Sequence, residues 1–185
     1  MKKTIAAVIL LMAFLAATAM AEAPAVEIPK LEGPYIVTTC GQSPGAVMIS
    51  MSAMQAGAKA SSNNSLTAED LGAEEFKTLI VTTGTSMKGM GAAGTNVEAE
   101  IERCLKVIEA AKEAGMVIVG AHVEGMARRT DSSDEASIAA VMEQADVILV
   151  IEDSDSDGFF TEYANEHENP LIKVKDALAV GTILQ

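Results

Sequence analysis

Tryptophan is absent from this 185-residue chain, tyrosine and phenylalanine number 2 and 4, and 13 basic residues face 26 acidic ones. Without an aromatic platform or a basic patch, nucleic acid is excluded as a partner class. The net charge of -13 likewise opposes an anionic membrane surface. Long apolar runs are missing after the first 20 or so residues, and no later segment reaches the ~20 residues free of charge that a bilayer crossing needs. Cysteine is scarce too. Cys40 and Cys104 are too few for a disulfide framework, and nothing local favours their approach, so two separate thiols are the simpler expectation, with a single bridge the alternative. No repeat of fixed period appears.

The chain has, first, an address label. Lys2 and Lys3 precede an apolar stretch from Ile5 to Ala17, and Ala19-Met20-Ala21 forms an A-x-A cleavage signal. Residues 1–21 therefore read as a signal peptide, which predicts an exported protein, periplasmic or extracellular, with no membrane anchor after cleavage. Without Lys2 and Lys3 the charge of -13 becomes -15. Residues 22–33, with Pro24 and Pro29, read as a flexible leader, and residues 34–185 as one domain. A hydrophobic fraction of 49% argues against wholesale disorder despite the charge.

Strand and helix signals then alternate. Tyr35 to Thr39 is β-rich and leads to Ser43-Pro44, a helix start; Val47, Met48, Met51, Met54 and Ala58 follow at helical spacing, which predicts core-filling methionines. The segment near Ala60 is polar enough only for an edge strand. Thr78 to Thr83 is an apolar β-branched run, followed by a glycine-rich loop from Gly84 and a helix opened by a Thr95/Glu98 capping box. Further strands are expected at Met116–Ala121, Asp146–Ile151 and Leu171–Val174, with a helix between the first two opened by Ser132 and Glu135. Alternation of this kind predicts an α/β fold with a single doubly wound parallel sheet of five or six strands, flavodoxin-like or Rossmann-like. The polar second strand belongs at an edge, which favours the order 2-1-3-4-5-6.

In that order the polarity reversal lies between strands one and three, so Cys40–Pro44 and Gly84–Thr95 are expected to share a crevice. Gln42, Ser43, Ser86, Lys88, Gly89 and Gly91 could donate there to a small polar or anionic ligand, with Arg128 and Arg129 adding guanidinium forks. Gly89-Met90-Gly91-Ala92-Ala93-Gly94 spells G-x-G-x-x-G, but a dinucleotide is disfavoured because no acidic residue ends the next strand. The bland alternative is that the glycines only let the chain turn. Cys40 at a helix start with His122 as base could serve covalent catalysis, yet the intervening strand sets them roughly 10 Å apart. Asp153, Asp155 and Asp157, in D-x-D-x-D-G, could hold calcium or magnesium, although Ala164 stands where a calcium loop ends in Glu.

Taken together, Cys40-Gly41-Gln42-Ser43-Pro44, the run Gly84 to Gly94, Ala127-Arg128-Arg129 and Glu152 to Phe160 resemble a family of exported bacterial proteins catalogued as a domain of unknown function. The resemblance covers roughly Gly33 to Gln185. It implies a bacterial exported α/β domain and brings no catalytic residues with it. Two function classes remain: a module binding a small polar or anionic ligand at the ends of strands one and three, or a hydrolase or transferase using Cys40 or Ser43 with His122.

Overall fold

The computed structural model describes residues 27–73 and 75–185; the signal peptide expected over residues 1–21 and residues 22–26 of the expected leader lie outside the described residues. Six strands, β1 (Tyr35–Thr39), β2 (Ala60–Ser62), β3 (Thr78–Thr82), β4 (Val117–His122), β5 (Val147–Ile151) and β6 (Leu171–Val174), pair in parallel. Their order is β2-β1-β3-β4-β5-β6, as the polarity of the strands predicts. Every residue of β1, β3 and β5 is buried, whereas the edge strands β2 and β6 are half-exposed.

Because successive strand residues point to opposite faces, the run of apolar residues feeds two layers at once. On one face Val37, Ile80, Val119 and Leu149 pack against α1 (Gly45–Gln55) and a 3-10 turn at Ala179–Ile183. On the other, Ile36, Leu79, Val81 and Ile118 meet the long helix α3 (Val97–Glu113), while Ile148 and Val150 meet α4 (Ser132–Met142) and α5 (Phe159–Glu166). The fold is thus a three-layer α/β sandwich. Among the described residues no helix is long and apolar enough to cross a membrane.

Four local expectations are corrected. The methionines of α1 do not fill the core: Met51 and Met54 are about half exposed, and the buried side is Gly45, Ala46, Ile49, Ser50, Ser52 and Ala53. Close packing explains the inversion. The hydroxyl of Ser52 donates to the carbonyl of Leu178 (2.7 Å) and accepts the amide of Gly181 (2.8 Å), and a Cβ on Gly181 would stand 2.3 Å from the Ser52 carbonyl oxygen. Around Gly181 only small residues fit inward; Ile49 is the one large side chain on the buried side, and the methionines turn out.

The glycine-rich stretch, next, is no open loop. It forms a short helix, α2 (Met87–Ala93), capped at its start by Ser86 and ended by Gly94 in the left-handed conformation. The caps of α3 and α4 are also one residue off: Asn96 replaces Thr95, and Asp131 replaces Ser132. In the leader, finally, Leu31 packs on the core and its carbonyl accepts the Tyr35 hydroxyl at 3.0 Å, so the chain is seated from there onward.

Candidate functional site

The loops after β1 and β3 do meet, but they close on each other instead of leaving a crevice. The Ser86 amide donates to the Gly41 carbonyl (2.8 Å), Gln42 and Thr85 form an isolated bridge, and Gly89 sits directly against the Gln42 carbonyl. The Gln42 side-chain amide donates inward to the Asn64 carbonyl (3.0 Å) and to Glu100 (3.1 Å). Ser43 is fully buried and pairs with the Thr39 hydroxyl. The Ser86 hydroxyl accepts the Gly89 amide, while Lys88 and Gly91 lie on the exposed side of α2. Most of the donors expected to face a ligand therefore serve the protein itself.

Two buried carboxylates that the sequence reading passed over organise this region. Glu100, 3% exposed, accepts from Gln42, from the Arg103 guanidinium (2.8 Å) and from the Gly41 amide (3.4 Å). Arg103 in turn donates to the carbonyls of Leu66 and Thr39, leaving its buried Nε without a partner. Asp134 accepts the amide and hydroxyl of Thr85 (2.7 Å each) and the amide of Thr130 (3.0 Å), tying the β3 loop to α4. A signal for the first pair existed. Glu100, Arg103, Cys104 and Val107 follow the i, i+3, i+4, i+7 spacing of a buried helix face.

The nucleophile and base are held apart by their partners. Cys40 and His122 are both 0% exposed. The neighbouring Cys104 thiol holds the Cys40 pKa below the ordinary thiol value while burial opposes; the Cys40 thiol, with burial, pushes Cys104 well up. His122 bonds through Nδ1 to the Thr83 hydroxyl (2.9 Å) and through Nε2 to the Gly125 carbonyl (3.2 Å), so neither ring nitrogen serves Cys40 or Ser43. Burial lowers its pKa, with the Gly125 carbonyl pulling the other way.

The guanidinium forks and the acidic loop are likewise engaged. Arg128 pairs with Glu124 (3.0 Å) and donates to the Thr85 carbonyl; Arg129 pairs with Asp157 (2.8 Å) and lies 4.3 Å over the Phe159 ring. Asp153 accepts the Met126 amide, and Asp155 accepts the amides of Phe160 and Thr161 and pairs with Lys173. The three aspartates thus face three different sets of donors. Among the described residues no group of three or more His, Cys, Asp or Glu is arranged for a metal ion.

Open volume lies on the α1 side. A cavity of about 580 Å³ runs between α1 and the segment Asp176–Leu178, at the carboxyl ends of β4 and β5. Met48, Met51, Val123, Ile151 and Leu178 give it apolar walls, and Glu124 and Asp176 place two carboxylates on them. Among the described residues no basic side chain lines it. A second cavity, about 410 Å³, lies on the opposite face between α4 and α5, where Arg129 and Phe159 form part of the wall.

A family model described as "Domain of unknown function (DUF6305)" matches residues 32–185. The chain belongs to this family. No curated protein matches it. Among solved structures, a GDSL-like lipase from Bacteroides thetaiotaomicron is similar at a TM-score of 0.39 and 10% identity, covering 88% of this chain and 75% of that one. An acylhydrolase candidate from Bacteroides fragilis gives 0.36 and 8%, covering 84% and 78%. At such scores neither assigns an activity.

The DUF6305 domain carries a titratable consequence of these networks. Burial pushes the carboxyls of Asp134 and Asp155 upward, but the hydrogen bonds from Thr130 and Thr85, and those from Lys173, Thr161 and Phe160, outweigh it, so both pKa values fall below the ordinary Asp value. A carboxylate with a depressed folded pKa stabilises the fold above its unfolded value, about 4, and that contribution is lost as pH falls through the folded value. Urea unfolding midpoints are expected to drop steeply below about pH 4. In an Asp155→Asn variant the acid limb should be shallower; an unchanged limb would remove Asp155 from this account.

Proposed function

We propose that this DUF6305 domain is an exported binding module, and that its ligand is a small, mainly apolar molecule carrying a cationic or hydrogen-bond-donating group. The observation that carries the reading is the cavity of about 580 Å³ at the carboxyl edge of the sheet. Its size falls in the range of small-molecule sites, and open α/β sheets bind ligands at that edge. Methionine walls adapt to irregular apolar shapes because the side chain is unbranched and polarizable. Asp176 suits a donor or a cation, Glu124 being already paired with Arg128 and the Gly45 amide, and the chain's net charge of -13 opposes an anion at long range. The ligand thus differs from the small polar or anionic one expected from the sequence: it is mainly apolar and keeps one polar group.

A hydrolase reading would require a nucleophile and base in reach of one another and of solvent. Cys40, Ser43 and His122 are all 0% exposed, and Ser43 and His122 are bonded elsewhere, so this alternative has no observation in its favour.

A thermal-shift screen of apolar amines, neutral amphiphiles and carboxylates tests the proposal. A saturating apolar amine should raise Tm by about 5–10 °C, since 100-fold excess over Kd stabilises by about 2.7 kcal/mol. Met51 is half exposed, so Met51→Arg is expected to fold and to abolish the shift by filling the cavity with bulk and positive charge. Stabilisation by carboxylates alone, lost in Arg129→Met but not in Met51→Arg, would move the site to the cavity between α4 and α5 and overturn this reading.

A further inference from the structure

We infer that Cys40 and Cys104 are the two halves of an intramolecular disulfide that closes when the chain folds in an oxidising environment. Cys40 stands directly after β1, and Cys104 lies on the sheet-facing side of α3. Both are free thiols in this structure, and both are buried in the same core cluster between the sheet and α3. The Cys104 thiol donates to the Thr39 carbonyl at 3.5 Å, which anchors it beside the residue preceding Cys40. Proximity of two residues so far apart in sequence is produced by the fold alone. Spacing in the sequence gave no sign of it.

The pair is suited to a permanent bond more than to reversible chemistry. With both sulfurs sealed from solvent, an external reagent reaches them only before α3 docks on the sheet. An external disulfide, such as oxidised glutathione or a dithiol–disulfide oxidoreductase, then supplies the oxidising equivalents. One protein thiolate attacks a sulfur of that disulfide and releases one thiol, forming a mixed disulfide. The second protein thiolate attacks the protein sulfur of the mixed disulfide and releases the second thiol. Two S–H bonds of the protein are lost, one S–S bond forms, and the two protons leave on the released thiols. Folding afterwards buries the product.

The cross-link would close a loop of about 60 residues and tie β1 to α3, adding to the fold chiefly by restricting the unfolded chain. It also fixes the peptide from which Gly41, Gln42 and the start of α1 hang. The inference does not rest on the ligand reading, and its test has separate readouts.

The full chain refolded with oxidised and reduced glutathione, then denatured without reductant, should show no alkylatable thiol and a mass lower by two hydrogens; after reduction it should show two. Tm should fall by about 10 °C on reduction. A Cys40→Ala, Cys104→Ala double variant should unfold near the reduced protein and ignore reductant. Two alkylatable thiols in the refolded chain, or a disulfide only between two chains on a non-reducing gel, would overturn the inference. If the double variant does not fold, the thiol count and mass of the unsubstituted chain decide the matter alone.

Discussion

Glu100→Ala is expected to lower the free energy of unfolding by about 3–5 kcal/mol, a large share of the 5–15 kcal/mol that a domain of this size possesses. Glu100 is 3% exposed, and its carboxylate is the anion facing Arg103 and the Gln42 amide. Removing it leaves a guanidinium with no anion, only the carbonyl oxygens of Leu66 and Thr39 and the Thr38 hydroxyl, and one of its nitrogens, Nε, already lacks a partner. The penalty is therefore the cost of an uncompensated buried charge, which exceeds what the intact pair contributes over an apolar substitute. Glu100→Gln keeps the shape and one acceptor and should lose less, about 2 kcal/mol. Urea denaturation of the three proteins checks the ranking. A Glu100→Ala protein within about 1 kcal/mol of the parent would mean that water reaches this pair after all.

The second large effect separates two glycines that look equivalent in the sequence. A Cβ at Gly89 would lie 2.2 Å from the carbonyl oxygen of Gln42, a backbone atom that cannot move without shifting the whole β1 loop. Gly89→Ala is expected to cost about 3 kcal/mol through overpacking. At Gly91 nothing lies within 4 Å and the position is helical and exposed, so Gly91→Ala should stabilise by about 0.5–1 kcal/mol. If these glycines instead approached a phosphate, both substitutions would weaken its binding while leaving stability similar. Opposite signs of ΔTm for the two variants support the steric account, and equal shifts refute it.

These two glycines also show where reading the sequence succeeds and where it stops. The β-branched runs at Thr78 and Asp146 and the polar edge at Ala60 were enough to order six strands, because burial on both faces leaves a compositional mark along each strand. Which side of α1 is buried left a misleading mark instead. Its methionines follow helical spacing, but the side that packs is the small one, since the approach of Gly181 to Ser52 is a contact over more than a hundred residues. The partners of Gln42, namely Asn64 and Glu100, lie 22 and 58 residues away and were invisible for the same reason. A side chain's residue type states that it can donate or accept; only the fold states whether that capacity is used internally. Glu100 and Arg103 sat in plain view on the buried stripe of α3, and weighing charged residues at that spacing would have found them.

The strand order carries one more consequence, for the way the sheet is built. From β3 onward each new strand pairs with the one completed just before it, β3 with β4, β4 with β5, β5 with β6. Growth is thus one-directional after the β2-β1-β3 half has formed. At every stage before the last, the growing side presents a strand with a full row of unpaired amides and carbonyls, and at β3 and β5 that strand is one the finished fold buries throughout. A chain halted after β3 or β5 would therefore be the sticky species, open to pairing with a neighbour's identical edge. The short, half-exposed β6, with Lys173 on it, closes that edge and, with the three-residue β2, ends the sheet in strands that offer little to a second molecule.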